Sequence, residues 1–304
     1  MASFGIRIIR SAFGVAEHVV PALAGKVAFE LFCRTPNPKA LSDRERRALA
    51  QSERFMTEAR RHRLTTKSGC VMAFDFRPEP GSPTFGTVLV LHGWQSRTEH
   101  MRLVIEAIRA TGHRVISLDL PGHGQSTGRR LNMMLAVDAV RVAGEWFGPF
   151  EAVVGHSFGG AVALNAAVGS IRGIPPLATK RLMLIAAPSS IPTLFEDFGR
   201  FLSLGPRSQT AVAMQVERVA GRPLEDFVGA TQLAEARIPT LVVHAPDDRE
   251  VSADHARMFA SAGDHVSVHW AGGFGHRRIL ADPASLAQIA AFMTRPVEAR
   301  ALVH

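Results

Sequence analysis

The chain has 304 residues, 46% of them apolar and 20% charged. That composition excludes a disordered or fibrous protein and suffices for one large α/β domain or two small ones. A formal charge of +8 and a sequence pI near 10.7 come from arginines dispersed along the chain, denser between Arg44 and Lys67. Without a nucleic-acid motif or aromatics interleaved with the charges, this basicity speaks for solubility and weak attraction to anionic surfaces, and against a nucleic-acid partner.

Residues 1–35 are apolar, with Arg7, Arg10, Glu17, His18 and Lys26 interspersed. A basic start followed by Ser11 to Ala16 has the outline of a signal peptide, but Glu17 and His18 break the apolar run well short of a membrane span. Ile6, Ile9, Phe13 and Val20 fall close to one helical face, which predicts an amphipathic helix. Such a helix packs on the main domain or, as the rival reading, lies on a membrane surface. Pro36-Asn37-Pro38 marks a loop. Ser42-Asp43-Arg44-Glu45 has capping-box spacing and predicts a charged, solvated helix to about Arg61. Residues 1–62 thus read as an N-terminal helical extension. Thr65-Thr66 and Val71 to Phe76 read as a hairpin turning at Ser68-Gly69.

From Thr87 strands and helices alternate. Strands are predicted at Val88–Leu91, Val115–Leu118, Ala152–Val154, Leu182–Ile185, Thr240–Val243 and Val266–His269. Helices are predicted at about Glu99–Ala110, Asn132–Phe147, from Gly160 onward, Ala253–Ala260 and Pro283–Met293. Continuous apolar strands alternating with helices imply a mostly parallel sheet covered on both faces. Residues 189–236 break the rhythm with aromatic-rich helical pieces around Phe195, Phe198 and Phe201, and are expected to form a small helical lid. The core is then 63–188 with 237–304.

The chemistry-bearing residues follow strands. Gly155-His156-Ser157-Phe158-Gly159 lies between an apolar strand and an Ala-rich helix, the context of a G-x-S-x-G nucleophile elbow. A lone G-x-S-x-G is a weak signal, and its plain alternative is a strand-to-helix turn with a solvent-facing serine. After Leu91 comes His92-Gly93-Trp94, where the Trp94 amide is placed to serve as one oxyanion donor and the Phe158 amide as the other. After Val243 comes His244 to Val251, which carries carboxylates able to orient a histidine. After the final strand comes Gly272-Gly273-Phe274-Gly275-His276, a loop that can bring His276 to Ser157. Serine, acid, histidine is the chain order expected of this elbow.

These stretches, with Asp119-Leu120-Pro121-Gly122-His123-Gly124-Gln125-Ser126, resemble the serine-type α/β-hydrolase fold over about Thr65 to Met293. The resemblance implies a Ser157–Asp248–His276 triad. The acid of such proteins lies four residues after the histidine of a His-Gly-x-x-Asp-x-x-Val turn. Here that register falls on Asp248, with Ala245 in place of the glycine, and Asp247 stays as the alternative acid.

Other histidines and carboxylates have plainer uses. Asp119 and His123 are expected to hold their loop, His156 to pack in the elbow, and His92 and His244 to hydrogen-bond backbone under the site. None of the 13 histidines falls in an H-E-x-x-H pattern, so no metal is expected. Cys33 and Cys70 form no disulfide framework or C-x-x-C motif, which favours a reducing, cytoplasmic setting.

The expected function is cofactor-free hydrolysis of a small to medium apolar ester through an acyl-enzyme on Ser157. The same triad serves thioesterase, lactonase, amidase, C–C hydrolase, acyltransferase and perhydrolase chemistry. The rival from another class is a ligand-binding protein on a hydrolase scaffold.

Overall fold

A computed structural model describes residues 4–37, 40–78, 81 and 84–296. Pro38 of the expected loop, and the outermost residues assigned to the N-terminal extension and the core, lie outside them. The strands are β1 (Arg60–Thr66), β2 (Gly69–Phe76), β3 (Thr87–Leu91), β4 (Arg114–Asp119), β5 (Phe150–His156), β6 (Leu182–Ile185), β7 (Thr240–His244) and β8 (Val266–Trp270). Among the described residues they form one sheet of eight strands in the order β1-β2-β4-β3-β5-β6-β7-β8. β2 runs antiparallel to β1 and β4, and every other pair is parallel. The connections diverge on either side of β3, which has β4 on one flank and β5 on the other. A crevice opens at such a point, beyond the carboxyl ends of the strands.

The strands explain their own burial. β3, β5, β6 and β7 carry almost unbroken apolar runs and are buried on both faces. Leu89 and Leu91 enter one core while Val88 and Val90 enter the other, as the two-residue period of a strand requires.

The first core is roofed by α1 (Phe4–Val19), α2 (Pro21–Cys33) and helices from later in the chain; α3 (Asp43–Thr57) and α4 (Arg102–Arg109) help cover the second. α3 starts at the Ser42/Glu45 capping box that its sequence predicts. It ends at Thr57, short of Arg61, because β1 starts at Arg60 and residues 60–66 pair with β2 in an unbroken register. The tertiary pairing outweighs a charged, helix-compatible stretch.

α5 (Met133–Phe147), capped by the Asn132 side chain, and the almost wholly buried α6 (Phe158–Val168) follow β4 and β5. Residues 189–236 form α7 (Ile191–Leu202), α8 (Pro206–Ala220) and α9 (Gly229–Ala236). α10 (Asp254–Ala260), α11 (Gly275–Arg278) and α12 (Pro283–Thr294) complete the chain.

The first two helices are part of this body. α2 lies so close to α8 that a Cβ on Gly25 would stand 2.5 Å from the Ala211 Cβ. Glu17 of α1 is buried and accepts hydrogen bonds from the Arg207 and Ser208 amides at 2.9 Å each. A carboxylate thereby satisfies open donors at the positive end of α8.

Candidate active site

Ser157 closes β5 and caps α6 with φ 53° and ψ −125°, a conformation costly for a residue with a side chain. The surroundings hold it there. Its amide donates to the Ile185 carbonyl at 2.8 Å, and its carbonyl accepts from the Gly160 amide at 2.9 Å. A Cβ on Gly155 would meet the Gly159 carbonyl oxygen at 2.2 Å, and one on Gly159 would meet the His92 carbonyl oxygen at 2.4 Å. The glycines therefore let the strand, the turn and the next helix close around the serine.

His276, at the start of α11, points Nε2 at Ser157 Oγ across 2.9 Å. Its Nδ1–H donates to Asp248 Oδ2 at 2.8 Å. The other oxygen, Asp248 Oδ1, accepts from the Glu250 and Val251 amides at 2.8 and 2.9 Å. Burial pushes the Asp248 carboxyl up, but the His276 imidazole and the two amides more than offset this and hold it below the ordinary carboxylate value. Asp247 points elsewhere: its Oδ1 accepts from the Gly273 amide at 3.0 Å and ties down the loop that carries His276.

The Trp94 and Phe158 amides flank the serine. A Cβ on Gly93 would stand 2.9 Å from the Ser157 Cβ, so the turn before Trp94 reaches Ser157 only because Gly93 lacks one. Among the described residues neither amide donates to another protein group. The turn is braced from behind. The Gln95 amide donates to His123 Nε2 at 3.1 Å, and His123 Nδ1–H donates to the Pro121 carbonyl at 3.1 Å. His92 Nδ1–H donates to the Gly93 carbonyl at 2.7 Å while its Nε2 accepts from the Leu120 amide at 2.9 Å. Asp119 accepts from the Thr98 and Gln125 amides at 2.9 and 2.7 Å. Among the described residues no group of three or more His, Cys, Asp or Glu side chains is disposed to hold a metal ion.

The sequence profile of the alpha/beta hydrolase family matches residues 88–289, more than half of the chain. The chain belongs to the alpha/beta hydrolase family. Among solved structures it is similar to Est1E from Butyrivibrio proteoclasticus with ferulic acid bound, at 18% identity, a TM-score of 0.62 and coverage of 76% of this chain and 97% of that one. A putative lipase (lip1) from Acinetobacter baumannii AYE gives 19% identity, a TM-score of 0.59 and coverage of 84% and 97%. At such identities the likeness carries the fold. The dihydrolipoyllysine-residue acetyltransferase component of the acetoin cleaving system of Cupriavidus necator is 39% identical over 85 residues, or 27% of this chain and 22% of that protein's length.

In this alpha/beta hydrolase an apolar cavity with about 480 Å³ of empty space, its mouth included, opens beside Phe158. Met133 and Met134, Leu194 and Phe195 line it, with Val216 and Val219 of α8. Phe29 and Phe32 of α2 complete the wall, Phe32 packing against Phe195 and Trp94 at ring-centroid distances of 4.5 and 6.0 Å. A second hollow is mixed, lined by Gln95, Arg97, His100 and Arg277 together with Leu41 and Leu49, among others.

Sequence reasoning missed the part played by α2. Its local signal was the pair Phe29 and Phe32, three apart on one side of the helix. It also undervalued His156, whose buried Nε2–H donates to the His276 carbonyl at 2.8 Å. His244, as expected, hydrogen-bonds backbone, with Nε2–H donating to the Val251 carbonyl at 3.0 Å.

Proposed function

We propose that this alpha/beta hydrolase is a serine esterase acting on apolar acyl substrates through a covalent intermediate on Ser157. The observation that carries the reading is the relay from Ser157 Oγ to His276 Nε2 at 2.9 Å and from Nδ1 to Asp248 at 2.8 Å. Ser157 Oγ bonds to the carbonyl carbon as its proton passes to His276 Nε2, and the carbonyl electrons move onto oxygen. The Trp94 and Phe158 amides and the positive end of α6 stabilise that oxyanion. Collapse expels the alcohol, which takes the proton from His276. Water then attacks the acyl carbon, giving its proton to His276, and the carboxylic acid leaves as Ser157 is regenerated. Asp248 stabilises the imidazolium in each half, and no step needs a cofactor.

The acyl chain fits the apolar cavity beside Phe158, with α7–α9 acting as a lid over it and the N-terminal extension supplying the remaining wall. The mixed hollow at Gln95 and Arg277 suits the leaving alcohol. The free thiols of Cys33 and Cys70 suit a reducing compartment, and we take the cytoplasm as the setting.

The test is turnover of p-nitrophenyl esters from acetate to palmitate, with fluorophosphonate labelling. Ser157→Ala should lower ester turnover at least about a thousandfold and abolish labelling, with an unchanged circular dichroism spectrum. Labelling that persists at another serine would overturn the nucleophile. Absence of both turnover and labelling in the unaltered protein would favour the ligand-binding alternative.

A further inference from the structure

Among the described residues no other element covers the outer surfaces of α1 and α2. On α1, Ile8, Val15 and Val19 fall on one stripe at helical spacing, and Leu23, Val27 and Leu31 form a stripe on α2. These six side chains are between 42% and 72% exposed, and Val20, the residue joining the helices, is exposed as well. Isolated apolar residues on a surface are ordinary, but two consecutive helices with an apolar stripe facing water form a patch that needs a use.

The charges around the patch are sorted by sign. Arg7 and Lys26 are exposed on these helices. The acidic side chains of α1 and α2 are turned away or matched: Glu17 is buried at the amino end of α8, and Glu30 is paired with Arg130 at 2.9 Å. The patch therefore combines apolar side chains with uncompensated positive charge, on a chain whose net charge is +8. Among the described residues no helix is long and apolar enough to cross a membrane. A helix of this kind lies in the interface, with its apolar face among acyl chains and its cations at headgroup phosphates.

We propose that α1 and α2 dock the protein on the surface of an anionic lipid bilayer. The arrangement has a consequence for the site. α2 has its stripe on one side and Phe29 and Phe32 on the other, where they wall the apolar cavity beside Phe158. Docking would set that cavity one helix away from the lipid, so that substrates dissolved in the bilayer reach it at high local concentration. The docking itself does not depend on the acyl chemistry, and its test is independent of turnover.

The experiment is flotation of the full chain with phosphatidylcholine vesicles, with and without one third phosphatidylglycerol. The unaltered protein should float with the anionic vesicles and much less with the neutral ones. Replacing Val15, Val19, Leu23 and Val27 together by Gln should weaken flotation at least roughly tenfold. Arg7→Glu with Lys26→Glu should weaken it by about fivefold per cation at low salt and by less at high salt. Hydrolysis of a short water-soluble ester and the melting temperature should stay unchanged in both variants, since none of these side chains enters the cavity or the core.

Failure of the unaltered protein to float with anionic vesicles would overturn the proposal. So would equal flotation of the Gln variant. A dimer in light scattering that the Gln substitutions dissolve, without vesicle binding, would assign the face to a second copy of the chain and likewise overturn it.

Discussion

At the scale of single residues, adjacent carboxylates have been given different work by the turn after β7. Asp248 has one oxygen on His276 and the other on two backbone amides, so it is held both in place and ionised. Among the described residues Asp247 bonds only the Gly273 amide. Asp248→Asn should therefore lower kcat by a factor of about ten thousand, because a carboxamide neither fixes the Nδ1–H tautomer nor stabilises the imidazolium. Asp247→Asn keeps an acceptor for Gly273 and should cost less than about tenfold. Steady-state kinetics on one ester checks the ranking, and the reverse order would move the acid by one position. His156 belongs to the same scale. Burial and the neighbouring His276 ring depress its pKa to about 3, so it stays neutral and keeps donating to the His276 carbonyl across the working pH range. It braces the backbone of His276, the proposed general base.

At the scale of elements, the cavity depends on how closely α2 approaches α8. Gly25 permits that approach, and Phe32 fills the resulting angle between Phe195, Phe198 and Trp94. An aromatic side chain so placed packs the helix and, under the proposed function, limits the length of acyl chain the cavity accepts. Phe32→Ala should leave the reacting groups in place, since Phe32 packs its ring on those of Phe195, Phe198 and Trp94, and the Trp94 group proposed to act in the reaction is its backbone amide. It should change kcat/KM for p-nitrophenyl decanoate about tenfold or more relative to acetate, while the acetate value stays within about threefold. An equal change for both esters would mean that α2 shapes the site as a whole and does not select chain length.

At the scale of the whole molecule, acid stability follows from buried imidazoles. Burial holds His92, His113, His123, His156, His244 and His255 below the ordinary value. In the unfolded chain the same rings take up protons near pH 6.5. Below that pH the unfolded state binds more protons than the folded one, so stability falls as pH falls. His156 alone, buried and protonating at about pH 3 when folded, contributes a loss of about 2 kcal/mol by pH 5. Asp119 opposes this. Burial and the nearby Glu99 charge raise its carboxyl to about 6, so it takes up a proton in the folded state first and recovers some stability below that pH. One carboxyl against several rings leaves the histidines dominant. The melting temperature should drop by at least about 4 °C between pH 7 and pH 5 in scanning calorimetry. A flat profile would mean that the buried rings accept protons without unfolding.

What the sequence by itself determined about this protein is whatever depends on near neighbours in the chain. The apolar runs of β3, β5, β6 and β7 announce strands buried on both faces. Gly155, Gly159 and Gly93 announce close backbone approaches, and the Ser42/Glu45 spacing announces a helix start. The chain order of Ser157, the acid and His276 was legible because each lies just beyond the end of a strand, and parallel strands deliver their carboxyl ends to one edge. Only the tertiary structure decided which of two adjacent carboxylates meets His276, because one residue of turn geometry separates them. It alone ended α3 at Thr57, because pairing with β2 is a contact between strands. It alone brought Phe29 and Phe32 to a cavity whose other walls lie over a hundred residues away in the chain. Periodicity in a sequence says which face of a helix is apolar. It does not say what that face will meet, because the partner is chosen by the packing of elements that are distant in the chain and adjacent only once the sheet has formed.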